Sequence, residues 1–122
     1  MAKIMIIEDE PNLLNLYKVE LEDEGYEVAG LSDGSEGMNA LMDFNPDVVV
    51  LDIKLDSGGG GLELLRDIKS HNKDIKVILN TAYSTFKNDF TTWMADAYIV
   101  KSSDLKELKS KIKEFASGIA YY

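Results

Sequence analysis

Short continuous apolar runs alternate along the chain with longer amphipathic stretches. Lys3-Ile4-Met5-Ile6-Ile7 has strand length and stops at Glu8. Tyr26 to Leu31 reads as a second strand. Val48-Val49-Val50-Leu51 stops at Asp52, Val77-Ile78-Leu79 at Asn80 and Thr81, and Ala97-Tyr98-Ile99-Val100 at Lys101. Between these runs the period changes from continuous to three-four. Pro11 suits the first turn of a helix that carries Leu14, Tyr17 and Leu21 inward and ends at Gly25. Ser35 to Phe44 predicts a helix with Met38, Leu41 and Met42 inward, stopped by Pro46. Leu62 to Ile68 places Leu64, Leu65 and Ile68 on one face. Phe86, Phe90 and Trp93 form a helical stripe that reads as core. Asp104 with Glu107 resembles a capping box for a last helix, whose apolar face is Leu105, Leu108, Ile112, Phe115 and Ile119.

Five strands alternating with five helices imply crossover connections, hence a parallel sheet with helices on both faces. Apolar runs without period-two alternation say the same, because such strands are covered on both sides. No linker, fixed-period repeat or second composition divides the 122 residues, so a single domain over 1–122 is expected. In an open sheet of this kind ligands bind beyond the carboxyl ends of the strands. Those ends carry Glu8 and Asp9, Asp52, Thr81 and Lys101, which topology gathers at one edge.

Composition removes most rival chemistries. There are no cysteines and one histidine, His71, so disulfide scaffolds, thiol catalysis and Cys or His metal clusters are excluded. His71 reads as exposed at a helix end. No run of 18 apolar residues exists, and four apolar residues before three acids do not make a secretory signal. A cytoplasmic protein without membrane contact is expected. The net charge of −9 opposes direct nucleic-acid binding. Residues 1–61 hold 14 acids and 3 bases, whereas residues 62–122 hold 8 acids and 10 bases. The acid-rich half is either a solvated surface or a site that takes a cation.

Each candidate has an ordinary reading when taken alone. Glu8-Asp9-Glu10 is a charge run, Asp52 a turn or cap, Lys101 a surface lysine, and Thr81 a strand-end hydroxyl bonded to backbone. Together they suit one reaction. Three close carboxylates repel unless a cation sits among them, and hard oxygens at a partly open site suit Mg²⁺. A carboxylate beside Mg²⁺ can act as a nucleophile, Lys101 supplies a charge for a phosphoryl oxygen, and Thr81 a donor. That set suits phosphoryl transfer onto Asp52. The glycines at 58–61 lack the Gly-Lys-Ser/Thr ending of a phosphate loop and read as a flexible connection.

Four segments, in order and at these intervals, resemble the response-regulator receiver domains of two-component signalling. They are Ile6-Ile7-Glu8-Asp9-Glu10-Pro11, Val48-Val49-Val50-Leu51-Asp52-Ile53-Lys54-Leu55, Leu79-Asn80-Thr81-Ala82 and Tyr98-Ile99-Val100-Lys101. The resemblance implies a doubly wound, flavodoxin-like sheet of order 2-1-3-4-5. It implies Asp52 as phosphoacceptor, with Mg²⁺ held by Asp9 and Asp52 directly, by Glu8 through water and by the Lys54 backbone carbonyl. Thr81 and Tyr98 correspond to the switch pair and Lys101 to the phosphoryl-binding lysine, while Lys54 and Tyr83 stand where phosphoryl lifetime is tuned. The donor would be a histidine kinase or histidine phosphotransfer protein. The output would be altered binding of a downstream protein at the face of the fourth helix, fifth strand and last helix, by a monomer or weak homodimer. No output domain is read in these residues. Catalysis would be confined to the chain's own phosphorylation and dephosphorylation, so it is not expected to be an enzyme.

Two features depart from the family pattern. Asp56 stands where proline is usual, and the loop through Gly61 is one residue longer, which predicts mobility over 56–61. Ser102 follows Lys101 where the family usually has proline, commonly after a cis bond. A cis bond before a non-proline residue costs about 2.5–4 kcal/mol, so Lys101–Ser102 should be trans, with a shift of the ammonium as its consequence. These departures support one alternative, a degenerate receiver that binds partners without being phosphorylated. A hydrolase working through an aspartyl phosphate, as in haloacid-dehalogenase enzymes, would want an acid two residues after the nucleophile, where Lys54 stands.

Overall fold

The apolar runs become five parallel strands whose alternate residues face two separate cores. A computed structural model describes residues 1–53, 60–82 and 94–118. The strands are β1 (Lys3–Ile7), β2 (Glu27–Leu31), β3 (Val48–Leu51), β4 (Lys76–Thr81) and β5 (Ala97–Val100), in the order β2-β1-β3-β4-β5. The helices are α1 (Pro11–Asp23), α2 (Gly37–Phe44), α3 (Gly61–His71) and α4 (Lys106–Ser117), with a 3₁₀ turn at Gly34–Glu36. The helical stripe expected at Phe86, Phe90 and Trp93 and the tail from Ile119 lie outside the described residues. Among the described residues no helix is long and apolar enough to cross a membrane.

Burial follows the pleat. Ile4, Ile6, Val48, Val50, Ile78 and Ile99 pack with Tyr17 and Leu21 of α1 and with Leu108 and Ile112 of α4. Met5, Ile7, Val49, Leu51, Val77 and Leu79 pack on the opposite face with Leu41 of α2 and with Leu64, Leu65 and Ile68 of α3. Each fully buried aliphatic side chain contributes about 1.5–3 kcal/mol, so the central strands anchor the molecule. Met42 was expected inward and is instead 51% exposed. Helical phase is the reason: the inward stripe of α2 runs through Gly37, Leu41 and Phe44 with half-buried Met38 at its edge, and Met42 falls outside it.

Local chemistry sets the helix ends. Pro11 opens α1, and the Glu10 carboxylate accepts from the Asn12 N–H at 3.3 Å. The chain leaves α1 through Gly25 at φ 94°, a conformation that favours glycine. Asn45 closes α2 at φ 54° just before Pro46. His71 is exposed as the last residue of α3, as expected. At α4 the Asp104 Oδ1 accepts from the Lys106 N–H at 2.9 Å, while the Asp104 N–H donates to the Ser102 Oγ at 3.1 Å. Ser102 thus occupies the reciprocal place that the capping-box reading gave to Glu107.

Candidate functional site

The strand ladder continues past each strand and fixes where the polar residues sit. The Glu8 N–H donates to the Leu31 carbonyl at 3.0 Å, the Asp52 N–H to the Ile7 carbonyl at 3.2 Å, and the Lys101 N–H to the Thr81 carbonyl at 2.7 Å. Each first residue after a strand is therefore held at the carboxyl edge by its neighbour. Four of the five expected residues are buried or nearly so: Glu8, Asp52 and Thr81 are buried, and the Lys101 side chain is 17% exposed.

Lys101 joins the acids. Its Nζ lies 2.6 Å from Glu8 Oε1 and 2.8 Å from Asp52 Oδ2. Asp9 completes the group, for Glu8, Asp9 and Asp52 each offer a carboxylate oxygen within 4.8 Å of the others. Among the described residues, three carboxylates here stand against the Lys101 ammonium in a mostly buried place. Such a set of hard oxygen donors fits a divalent cation of the Mg²⁺ kind, which tolerates a partly open site and keeps waters. Burial pushes the Glu8 carboxyl above its usual range, and the nearby Asp52 charge adds to this. Hydrogen bonds from Lys101 and from the Glu10 N–H, at 3.2 Å, oppose it. Burial alone would lower the Lys101 ammonium, but its bonds to Asp52 and Glu8 outweigh that and push it above the ordinary lysine range.

The start of α3 lies directly against Asp52. The Gly61 N–H donates to the Ile53 carbonyl at 2.9 Å, and a Cβ on Gly61 would stand 2.1 Å from the Asp52 carbonyl oxygen. Only a residue without a side chain allows that approach. A Cβ on Gly60 meets nothing within 4 Å. The expected mobility over 56–61 falls mostly on residues 54–59, outside the described residues, as do Lys54 and Tyr83.

Thr81 is fully buried opposite Val100, and Tyr98 lies opposite Leu79, half-buried against the α2–α3 core. The Lys101–Ser102 bond is trans, there being no cis peptide among the described residues. The Lys101 ammonium sits at hydrogen-bond distance from Asp52.

Two residues of this region escaped the sequence reading. The Asn80 Nδ2 donates to the Tyr17 hydroxyl at 3.2 Å, both side chains being buried. Tyr17 reads as an apolar member of a helix face and Asn80 as a polar strand end. The available signal was the position of Asn80, two residues after Ile78 on a face that must be covered.

A family model described as the response regulator receiver domain matches residues 4–113. The chain is 33% identical over 121 residues to a nitrate/nitrite response regulator protein homolog of Haemophilus influenzae, covering 95% of this chain and 57% of that protein. It is 35% identical over 114 residues to response regulator ArlR of Staphylococcus saprophyticus, covering 93% and 51%. The chain thus spans about half the length of the curated relatives it matches. Among solved structures, response regulator TrrA of Thermotoga maritima in complex with Mg²⁺-BeF superposes with TM-score 0.89 at 42% identity, covering 94% of this chain and 99% of that one. The same regulator in complex with histidine kinase ThkA gives TM-score 0.86 at 42% identity, covering 94% and 98%.

Proposed function

The chain belongs to the response-regulator receiver domains, and from that premise we propose that it is a phosphorylation switch whose acceptor is Asp52. The observation that carries this reading is the Lys101 ammonium, 2.8 Å from Asp52 and 2.6 Å from Glu8 beside Asp9. The relative TrrA is known in complex with a histidine kinase, which supports a phosphohistidine of a kinase or phosphotransfer protein as donor. Its Mg²⁺-BeF complex supports Mg²⁺ as cofactor.

An Asp52 carboxylate oxygen bonds to phosphorus as the donor's phosphorus–nitrogen bond breaks, and the bonding pair stays on the imidazole nitrogen. Asp9, Asp52 and the Lys54 backbone carbonyl would hold the cation, and Glu8 would reach it through water. Bound there, Mg²⁺ offsets charge developing on the transferring oxygens. Lys101 exchanges its carboxylate partners for a phosphoryl oxygen, and Thr81 donates its hydroxyl. Tyr98 follows inward, and the face that the family resemblance assigns to the fourth helix, fifth strand and last helix changes its affinity for a downstream protein. Lys54 and Tyr83 tune how long the phosphoryl group remains. Catalysis is limited to the chain's own phosphorylation and dephosphorylation.

Intact mass after incubation with Mg²⁺ and phosphoramidate tests the reading. One phosphoryl group is expected on the wild type, none on Asp52→Ala and none with chelator present. Uptake that persists in Asp52→Ala overturns the assignment. No uptake at all identifies an interaction module, and rapid phosphate release from an external substrate identifies a hydrolase.

A further inference from the structure

The buried pair Tyr17–Asn80 has no part in the reaction as described, yet it lies against the site. Asn80 immediately precedes Thr81 at the end of β4, while Tyr17 belongs to α1, which begins just after Glu8, Asp9 and Glu10. β1 and β4 are not paired in the sheet, because β3, which leads into Asp52, lies between them. Their 3.2 Å hydrogen bond therefore ties the segment carrying the acids to the strand carrying Thr81, across the end of the strand that presents Asp52. The Tyr17 hydroxyl is close enough to feel the charges of Lys101, Glu8 and Asp52. A cavity of about 240 Å³ opens against the pair, lined also by Val100 and Ser102 on either side of Lys101 and by Leu105 and Leu108. Two polar groups withdrawn from water must bond to a partner to avoid a desolvation penalty, and Tyr17 and Asn80, both buried, bond to one another.

We propose that Tyr17 and Asn80 are positioning residues for phosphoryl transfer to Asp52. Their bond holds the end of β4, and with it the Thr81 hydroxyl, at a set distance from the acids of the β1–α1 turn. The inference rests on the reading of Asp52 as phosphoacceptor. Transfer between oriented groups is sensitive to placement, a misplacement of about 1 Å costing on the order of a hundredfold in rate.

The test compares wild type, Tyr17→Phe, Asn80→Leu and the double variant. Phosphorylation by phosphoramidate is followed by intact mass at saturating Mg²⁺, and Mg²⁺ affinity by calorimetry without donor. Tyr17→Phe should lower the saturating rate constant by about tenfold. The half-saturating donor concentration and the Mg²⁺ dissociation constant should stay within about twofold. The double variant should be no slower than the slower single one, since both substitutions remove one bond. Rates that fall only in proportion to the loss of folded protein, or that multiply in the double variant, overturn the proposal. A variant that does not fold leaves a measurement on the wild type. With Mg²⁺ and beryllium fluoride, the Asn80 side-chain amide protons should remain protected from exchange, and their rapid exchange overturns the proposal. A wild type that takes up no phosphoryl group from phosphoramidate sinks the acceptor reading and this inference together. Normal uptake with an unchanged Tyr17→Phe rate sinks only the latter.

Discussion

Gly60 and Gly61 are chemically identical neighbours with opposite roles. Gly61 has no room for a methyl group, the obstruction being backbone, the Asp52 carbonyl and Ile53, which cannot rotate away. Gly61→Ala should therefore move the start of α3 or the turn after β3, at a cost of about 1–3 kcal/mol or more. Gly60 has φ −70° and ψ 159° and faces open space, so alanine fits without strain. Gly60→Ala should be neutral or stabilise by about 0.4–1 kcal/mol, by restricting the unfolded chain. Urea midpoints of the two variants check this, and equal effects would refute it. Tyr17 gives a second residue-scale expectation. Burial, outweighing the bond from Asn80 and the nearby Lys101 charge, holds its phenol above the ordinary tyrosine range. The folded chain then keeps a proton that the unfolded chain releases near pH 10, so stability falls as pH rises from there through the raised value. Lys101, also raised, acts with the same sign in its own alkaline range. Wild type should lose more stability between pH 9 and pH 11 than Tyr17→Phe does, read from denaturation at each pH. Equal losses would mean that the phenol titrates alike in both states.

The strands were legible as elements because three of them, β1, β3 and β4, are buried on both faces, and continuous apolar runs of that length have few other readings. Their polar ends were legible as a site for the same reason, since a parallel order forces Glu8, Asp52, Thr81 and Lys101 to one edge. The remainder depends on relations between elements that no run of residues encodes. The inward stripe of α2 is centred on Gly37, Leu41 and Phe44, which leaves Met42 outward. The demand on Gly61 arises from α3 meeting the turn after β3, and the Tyr17–Asn80 bond from α1, packed on β1 and β2, reaching the end of β4. Asp96 is a further case, ordinary in sequence yet a junction of three elements. Its Oδ2 accepts from the Lys69 ammonium of α3 at 2.7 Å and from the Val77 N–H of β4 at 2.8 Å, while its own N–H, just before β5, donates to the Val77 carbonyl at 2.8 Å. Lys69 also donates to the Ile75 carbonyl at 2.8 Å. Asp96→Ala leaves a Lys69 side chain that is only 10% exposed without its anion, and Val77 without an acceptor for its N–H. A loss of about 2–4 kcal/mol should follow. Lys69→Met should cost less, because Asp96 then retains Val77 and has Lys76 at 3.8 Å. Thermal denaturation of both variants checks the order, and the reverse order would place the weight on Lys69.

At the scale of the whole molecule, the acids meet only when the sheet is assembled, since β1 and β3 become neighbours through a crossover. A cation bound by Glu8, Asp9 and Asp52 therefore binds the folded chain and not the unfolded one, and its affinity becomes folding stability. At a hundred times its dissociation constant, Mg²⁺ should add about 2.7 kcal/mol. Lys101 is the internal competitor, because its ammonium already bridges Glu8 and Asp52. Lys101→Met removes the ammonium that two buried carboxylates share and should lower metal-free stability by about 3–5 kcal/mol. The same substitution frees both acids, so Mg²⁺ should stabilise it more than it stabilises wild type. Asp9→Asn should do the opposite: little change without metal, since Asp9 is less buried than its two partners, and loss of most of the Mg²⁺ gain. Net charge of −9 means that any salt relieves some repulsion, so each titration needs a sodium control at matched ionic strength. Urea midpoints for the three proteins, in chelator and in Mg²⁺, separate these effects. A stabilisation by Mg²⁺ that is equal in all three, or equalled by sodium, would show that no ion is held by these acids and that the cluster is only a charged edge.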